Sequence, residues 1–258
     1  MSFELVTMGL CAGLFFGMLL LSEIGRRIGA ARFKRDPGAG KEGSAAEAAV
    51  FALLGLLIAF TFSGAASRFH DRRLMIAEES NAIGTAYLRV DLLAPDAQPR
   101  VRELFRKYVD LRAVVYRAAA DEVETMARIA AGESLQKEIW RASLTGALSP
   151  GAAPPAGMLV PPALNAMIDI TTTRAVATQT HPPVVIYQLL GTLCLVGAML
   201  VGHGAASAER RHWFYPVLFS AMLSTTVFVI VDIEYPRLGL IRVDAADQVL
   251  LDLRKSMP

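Results

Sequence analysis

The run from Ala48 to Ser67 reads AAVFALLGLLIAFTFSGAAS, twenty residues without an ionisable side chain, closed by Glu47 on one side and Arg68 on the other. A helix rising about 1.5 Å per residue covers a hydrocarbon layer of about 30 Å with such a length. Leu5–Ser22, Pro182–Gly202 and Trp213–Val231 are three more uncharged runs of similar length. An open strand in lipid would leave its backbone groups unpaired, so helices are the economical form for all four. The composition agrees. Of 258 residues 53% are hydrophobic and 19% charged, with a mean hydropathy of +0.40, against about 25% charged in soluble globular chains. A fully soluble, disordered or collagen-like protein is thereby excluded. A net charge of +2, without clustering, gives no footprint for nucleic acid. Cys11 and Cys194 lie inside apolar runs and read as small buried hydrophobes, not as a disulfide framework.

The first run carries Glu4 and no Lys or Arg before it, and no small-residue cleavage site closes it. It therefore reads as an anchor, not a secretory signal. Glu23 stands three and four residues before Arg26 and Arg27, the spacing of a helix-end ion pair. Trp213, Phe214 and Tyr215 open the fourth run where an interfacial aromatic belt belongs. Pro182 and Pro216 fall in first turns, where a missing N–H costs little. The short loops Glu23–Glu47 and His203–His212 hold eight Lys or Arg, against six near the opposite membrane ends (Arg68, Arg72, Arg73, Arg174, Arg237 and Arg242). The positive-inside rule then leans towards a cytoplasmic first loop.

Between the second and third runs the texture changes. The second helix is expected to continue past Arg68 without a breaker until Pro95. A helix follows from Asp96 and Pro99 to Gly132, with Val101, Leu104, Tyr108, Leu111 and Val115 forming one apolar stripe. Gly132 is expected to end it, Ser134–Leu148 to form a shorter helix with Trp140, Ser149–Pro162 to be a turn-rich linker, and Asn165–Thr180 to be helical again. The chain thus reads as an all-α membrane protein: transmembrane helices 1 and 2 with a basic loop in 1–66, a helical extramembrane domain in 67–181, transmembrane helices 3 and 4 in 182–235, and a tail in 236–258. The extramembrane part is expected to bury little core alone and to pack against copies of itself.

Gly9, Gly13 and Gly17 share one face of the first helix, and Gly55, Ala59, Ser63 and Ser67 one face of the second. Small residues at this spacing let backbones approach, within one chain or between subunits. Leu54, Ile58 and Phe62 run beside the second face, a row that could border lipid and core or line a hydrophobic constriction of a pore. No Asp, Glu, Lys or Arg sits at the middle of a span, which speaks against a proton-coupled carrier. His70, His181, His203 and His212 show no metal-ligand spacing, and HExxH, CxxC and GxSxG are all missing. Pro37-Gly38-Ala39-Gly40-Lys41 resembles a phosphate loop only in its glycines and reads as a flexible loop. Neighbouring Glu78 and Glu79 point about 100° apart on a helix, which is no acid–base pair. Neither an enzyme nor a cofactor is expected.

Two segments read as motifs. Glu79-Ser80-Asn81-Ala82-Ile83-Gly84-Thr85-Ala86-Tyr87-Leu88-Arg89 follows Arg72-Arg73, and Asp232-Ile233-Glu234-Tyr235-Pro236-Arg237-Leu238-Gly239 closes the fourth run. Together they resemble the bestrophin-like membrane domain family, prokaryotic four-span proteins of unassigned function. The first departs from that family's run only at Ser80. The second keeps Asp232, Pro236, Arg237 and Gly239 and departs at Ile233, Glu234 and Tyr235. The resemblance implies a multi-pass protein of the cell's inner (plasma) membrane, and by likeness to bestrophins, pentameric anion channels with a cytoplasmic helical domain, a homo-oligomeric channel with its second helices around the pore. That sidedness opposes the charge count.

The other reading is a non-conducting scaffold or sensor, its stripe of Val101, Leu104, Tyr108 and Leu111 facing a partner protein. Asn81 can donate and accept on a helix leaving the membrane. Gly84 costs about 1 kcal/mol against Ala inside a helix, so a close backbone neighbour is a reasonable motive. Asp232 and Glu234 stand where the fourth span meets water, with Pro236 bending the chain and Arg237 able to pair back. The structural reading makes these a capped helix end and an interhelical polar contact; the functional one makes Glu79, Asp232 and Glu234 an ion-attracting ring when repeated by symmetry.

Overall fold

The computed structural model describes residues 3–35, 44–115, 122–207 and 213–257. Among them there is no strand. The helices are α1 (Phe3–Arg35), α2 (Ser44–Leu88), α3 (Gln98–Val115), α4 (Glu122–Leu148), α5 (Ala156–Gln179), α6 (Val184–Gly204), α7 (Phe214–Glu234) and α8 (Asp244–Lys255), with 3-10 turns at Arg89–Leu92 and Ala205–Ser207. Four stretches are long and apolar enough to cross a membrane: α1, α2, α5 with α6, and α7. Residues 180–183 interrupt the third, so its uncharged run is α6. Pro37–Lys41 lie outside the described residues.

The chain divides into two compact units, Met1–Ser67 with His181–Leu240 and Arg68–Thr180 with Ile241–Pro258; α2 contributes to both. In the first unit α1 packs along α6 and against α7. Its interior is a small cluster of Met18, Leu54, Ala65, Leu190, Cys194, Ala198 and Ile230. The closest helix approach is made by glycines: a Cβ on Gly25 would strike the Met199 carbonyl of α6, and one on Gly202 the Ser22 carbonyl of α1. Gly9, Gly13 and Gly55, by contrast, have open space where a side chain would be. Of the expected small face of α1, Gly17 meets Leu195 of α6 at 3.2 Å from its Cβ position, and a later pair, Gly25 and Gly29, makes the tighter contact. Glu23 pairs with Arg26 and Arg27 at 2.9 and 2.8 Å, as its spacing predicts.

The second unit has a substantial core, contrary to the expectation that it would bury little. Ile76, Ile83, Tyr87, Leu104, Phe105, Tyr108, Ile139, Leu164 and Met167 are all buried in it. Two expectations from punctuation fail here. Gly132 does not end a helix; it lies buried within α4, where a Cβ would meet Leu111 of α3 at an ordinary contact distance of 3.7 Å. The linker read as far as Pro162 is already helix from Ala156, despite Pro161 and Pro162. Ala156, Val160, Ala163, Leu164 and Met167 bury one helical face, and that packing outweighs the backbone bonds the prolines remove. The tail also folds. Within it α8 packs on α3, inserting Leu250 into the core and pairing Arg254 with Asp110 at 2.8 Å.

Candidate functional site

The motif on α2 splits by helical periodicity into a buried and an exposed set. Glu79, Ser80, Ile83, Ala86 and Tyr87 point inward, whereas Asn81, Thr85 and Leu88 are exposed. Glu79 is fully buried and receives two guanidinium groups. Arg112 of α3 donates from Nε at 2.5 Å to Oε1, and Arg174 of α5 donates to Oε2. Three helices are thereby tied to one carboxylate. Burying ions costs several kcal/mol each, so such a cluster holds only when its geometry and hydrogen bonds are complete. Buried and bonded within its own chain, the Glu79 carboxylate presents no charge to solvent, unlike the acidic-ring expectation.

The other motif residues serve the same unit. Arg72 donates to the carbonyls of Ala177 and Thr180 at 3.2 and 3.0 Å, placing a cation on the C-terminal end of α5, where the helix dipole favours it. Arg73 lies 5.9 Å from the Phe69 ring and is exposed. Ala82 is half-buried on the core, and a Cβ on Gly84 would sit 3.3 Å from the Leu253 side chain of α8, not beside the backbone neighbour its glycine suggested. Ser80 Oγ lies 3.5 Å from the Val249 carbonyl oxygen. Tyr87 packs edge-on to Phe105 with Arg102 over its ring, and Arg89 donates to the Leu159 carbonyl.

In the first unit the second motif closes the end of α7. Asp232 Oδ1 accepts the Leu240 N–H at 2.8 Å. A Cβ on Gly239 would fall on that carboxylate, which explains the glycine, and Pro236 is buried in the turn between them. Glu234 is fully buried with Oε1 3.0 Å from His181 Nδ1. The His181 ring stacks on Tyr235 at 4.4 Å, and Phe3 meets the other ring at 4.9 Å. Arg237 is half-buried beside this turn. Asp232 and Glu234 therefore hold a helix end together instead of presenting charge, a second correction to the acidic ring.

The proposed row on α2 is also divided. Leu54 is buried against α6 beside Gly197, Ile58 is half-buried on the same cluster, and Phe62 is 43% exposed. The stripe assigned to a partner protein lies mostly inside the unit. Val101, Leu104 and Tyr108 are core residues, Leu111 is half-buried, and the side chain of Val115 lies outside the description. Sequence reasoning missed Arg112 and His181 as partners and used Arg174 only as a count of charge. Arg112 continues the Leu104–Tyr108 line at spacing four, and Arg174 follows Met167 seven residues on. A cation in line with a buried stripe is the signal that would have found both. No group of three or more His, Cys, Asp or Glu among the described residues is placed to hold a metal ion.

The sequence profile of the bestrophin-like domain matches residues 47–247. Solved structures match almost end to end. A bacterial bestrophin homologue from Klebsiella pneumoniae, carrying a tyrosine-to-alanine substitution, superimposes with a TM-score of 0.67 at 15% identity over 93% of this chain and 98% of its own. Another structure of that homologue gives 0.66 at 14% identity over the same shares. No curated protein sequence matches the chain.

Proposed function

This chain belongs to the bestrophin-like family, and we propose that copies of it assemble around an ion-conducting axis in the inner (plasma) membrane. The observation that carries the reading is the uncovered face of α2. Ala52, Gly55, Leu56, Ala59, Phe60 and Ser63 recur on it and are all exposed in the single chain. Contact with lipid alone gives no reason for Gly55, which costs about 1 kcal/mol within a helix. A neighbouring backbone does, because small residues permit close packing where no hydrophobic effect operates. The family resemblance supports the same assembly. Phe62, at the edge of this face, is the residue for a hydrophobic constriction that gates by dewetting, with Ile58 behind it.

The buried, partnered state of Glu79, Asp232 and Glu234 removes the argument for a cation-selecting ring of those carboxylates, so the sign of the ion rests on reversal potentials. Purified protein in planar bilayers is expected to give discrete currents, and Phe62→Ala to raise them severalfold by widening the constriction. Silence across cations, anions and pH would overturn conduction. A monodisperse monomer, or a particle without an axial opening, would overturn the assembly.

A further inference from the structure

In the second unit α4 and α5 flank an open cleft of about 580 Å³, within the size range of small-molecule sites. Gln136 forms part of its lining although only 8% of the residue is exposed. Its Nε2 donates to Tyr108 Oη at 2.9 Å and to Thr171 Oγ1 at 3.2 Å, and the Thr171 hydroxyl spends its own proton on the Ile168 carbonyl at 2.7 Å. Both amide hydrogens are therefore used. The amide oxygen remains an acceptor without a partner among the described residues. That oxygen is accessible from the cleft, where a donor can reach it.

The rest of the lining has a matching character. Trp140 contributes a half-buried aromatic wall. Lys137 and Arg141, one turn apart on α4, line the cleft without an ion-pair partner among the described residues. Glu133, one turn before Lys137, limits the rim to a small positive excess. We infer that this cleft binds a purine nucleotide: the base stacks on Trp140 and gives an amino hydrogen to the Gln136 carbonyl, and the phosphate meets Lys137 and Arg141. Stacking on an aromatic ring and a Gln amide on a base edge are the ordinary means of holding such rings. Charge-assisted bonds from Lys and Arg suit the phosphate. Glu133 favours a monophosphate over longer chains.

The chain has two tryptophans, Trp140 and Trp213, so Trp213→Phe leaves Trp140 as the reporter in otherwise intact, detergent-solubilised protein. AMP should quench its emission saturably, adenosine should bind roughly tenfold more weakly, and inorganic phosphate should leave the emission unchanged. Lys137→Gln and Arg141→Gln, at exposed positions that need not disturb folding, should each weaken AMP by about tenfold. Absence of saturable quenching at millimolar AMP would overturn the inference. So would equal binding of adenosine, indifference to both substitutions, or Trp140 shielded from acrylamide because a second copy fills the cleft.

Discussion

In the first unit large apolar side chains such as Leu10, Phe60 and Phe214 are exposed, and the residues at the tightest helix contacts are Gly25, Gly29 and Gly202. In the second unit the order is reversed: Phe105, Tyr108 and Ile139 fill the interior, and charge enters as the Glu79 cluster and as the buried Arg72 and Asp247. The difference follows the solvent. Lipid gives no reward for hiding a leucine, so helices associate through close backbone approach and dispersion. Water rewards each buried apolar side chain by about 1.5–3 kcal/mol, so the large ones go inside and ions follow only when paired.

The hardest test of this contrast is Glu79→Ala. Removing the carboxylate leaves Arg112 and Arg174 buried without it and should cost about 3–5 kcal/mol, read as a loss of unfolding midpoint in detergent. A change near zero would mean that the cluster is hydrated and that the second unit is not packed as a water-soluble core. Next is a pair on one helix. Gly25→Val forces a side chain into the Met199 carbonyl and should destabilise by about 1–3 kcal/mol or more, whereas Gly9→Val, facing open space, should leave the isolated chain unchanged. Equal losses would show that both halves of α1 are packed alike, and a loss of oligomer with Gly9→Val would assign its face to a subunit contact.

The smallest effect is acid titration at the surface of the second unit. Hydrogen bonding from Arg106, with charge from Arg106 and Lys107, holds the Glu103 carboxyl below its ordinary value of 4.5, and Lys255 with Gln248 holds Asp252 below 3.8. These contributions are present above the ordinary values and vanish as pH falls through the lowered folded ones. Both groups are exposed, so the effect is slight. The difference in unfolding midpoint between wild type and Arg106→Gln with Lys255→Gln should shrink from about pH 6 to about pH 3. A difference that grows on acidification would reverse the assignment.

Much of the candidate site was visible as types of residue and little as partners. Gly84 was readable as a place of close approach, and Glu23 with Arg26 and Arg27 as a local pair, because helix periodicity fixes neighbours three and four residues away. Glu79 with Arg112 and Arg174, and His181 with Glu234, join positions 33, 95 and 53 residues apart, and no local rule reaches that far. Gly132 and Pro161–Pro162 misled for a related reason: they weaken a helix by a few kcal/mol or less, which packing outweighs, through Gln136 and Ile139 on α4 and through Ala163, Leu164 and Met167 on α5.

The sequence alone determined that this is an all-helical chain with four apolar segments fit to cross a bilayer, because uncharged length and backbone satisfaction in lipid are properties of a segment by itself. It also carried the family likeness, in two short motifs. Only the tertiary structure decided which carboxylates are buried and partnered, which glycines touch and which face open space, and that the last helix belongs to the core. Those outcomes depend on what lies across from each residue, and opposition in space between distant segments is set by the packing of the whole chain.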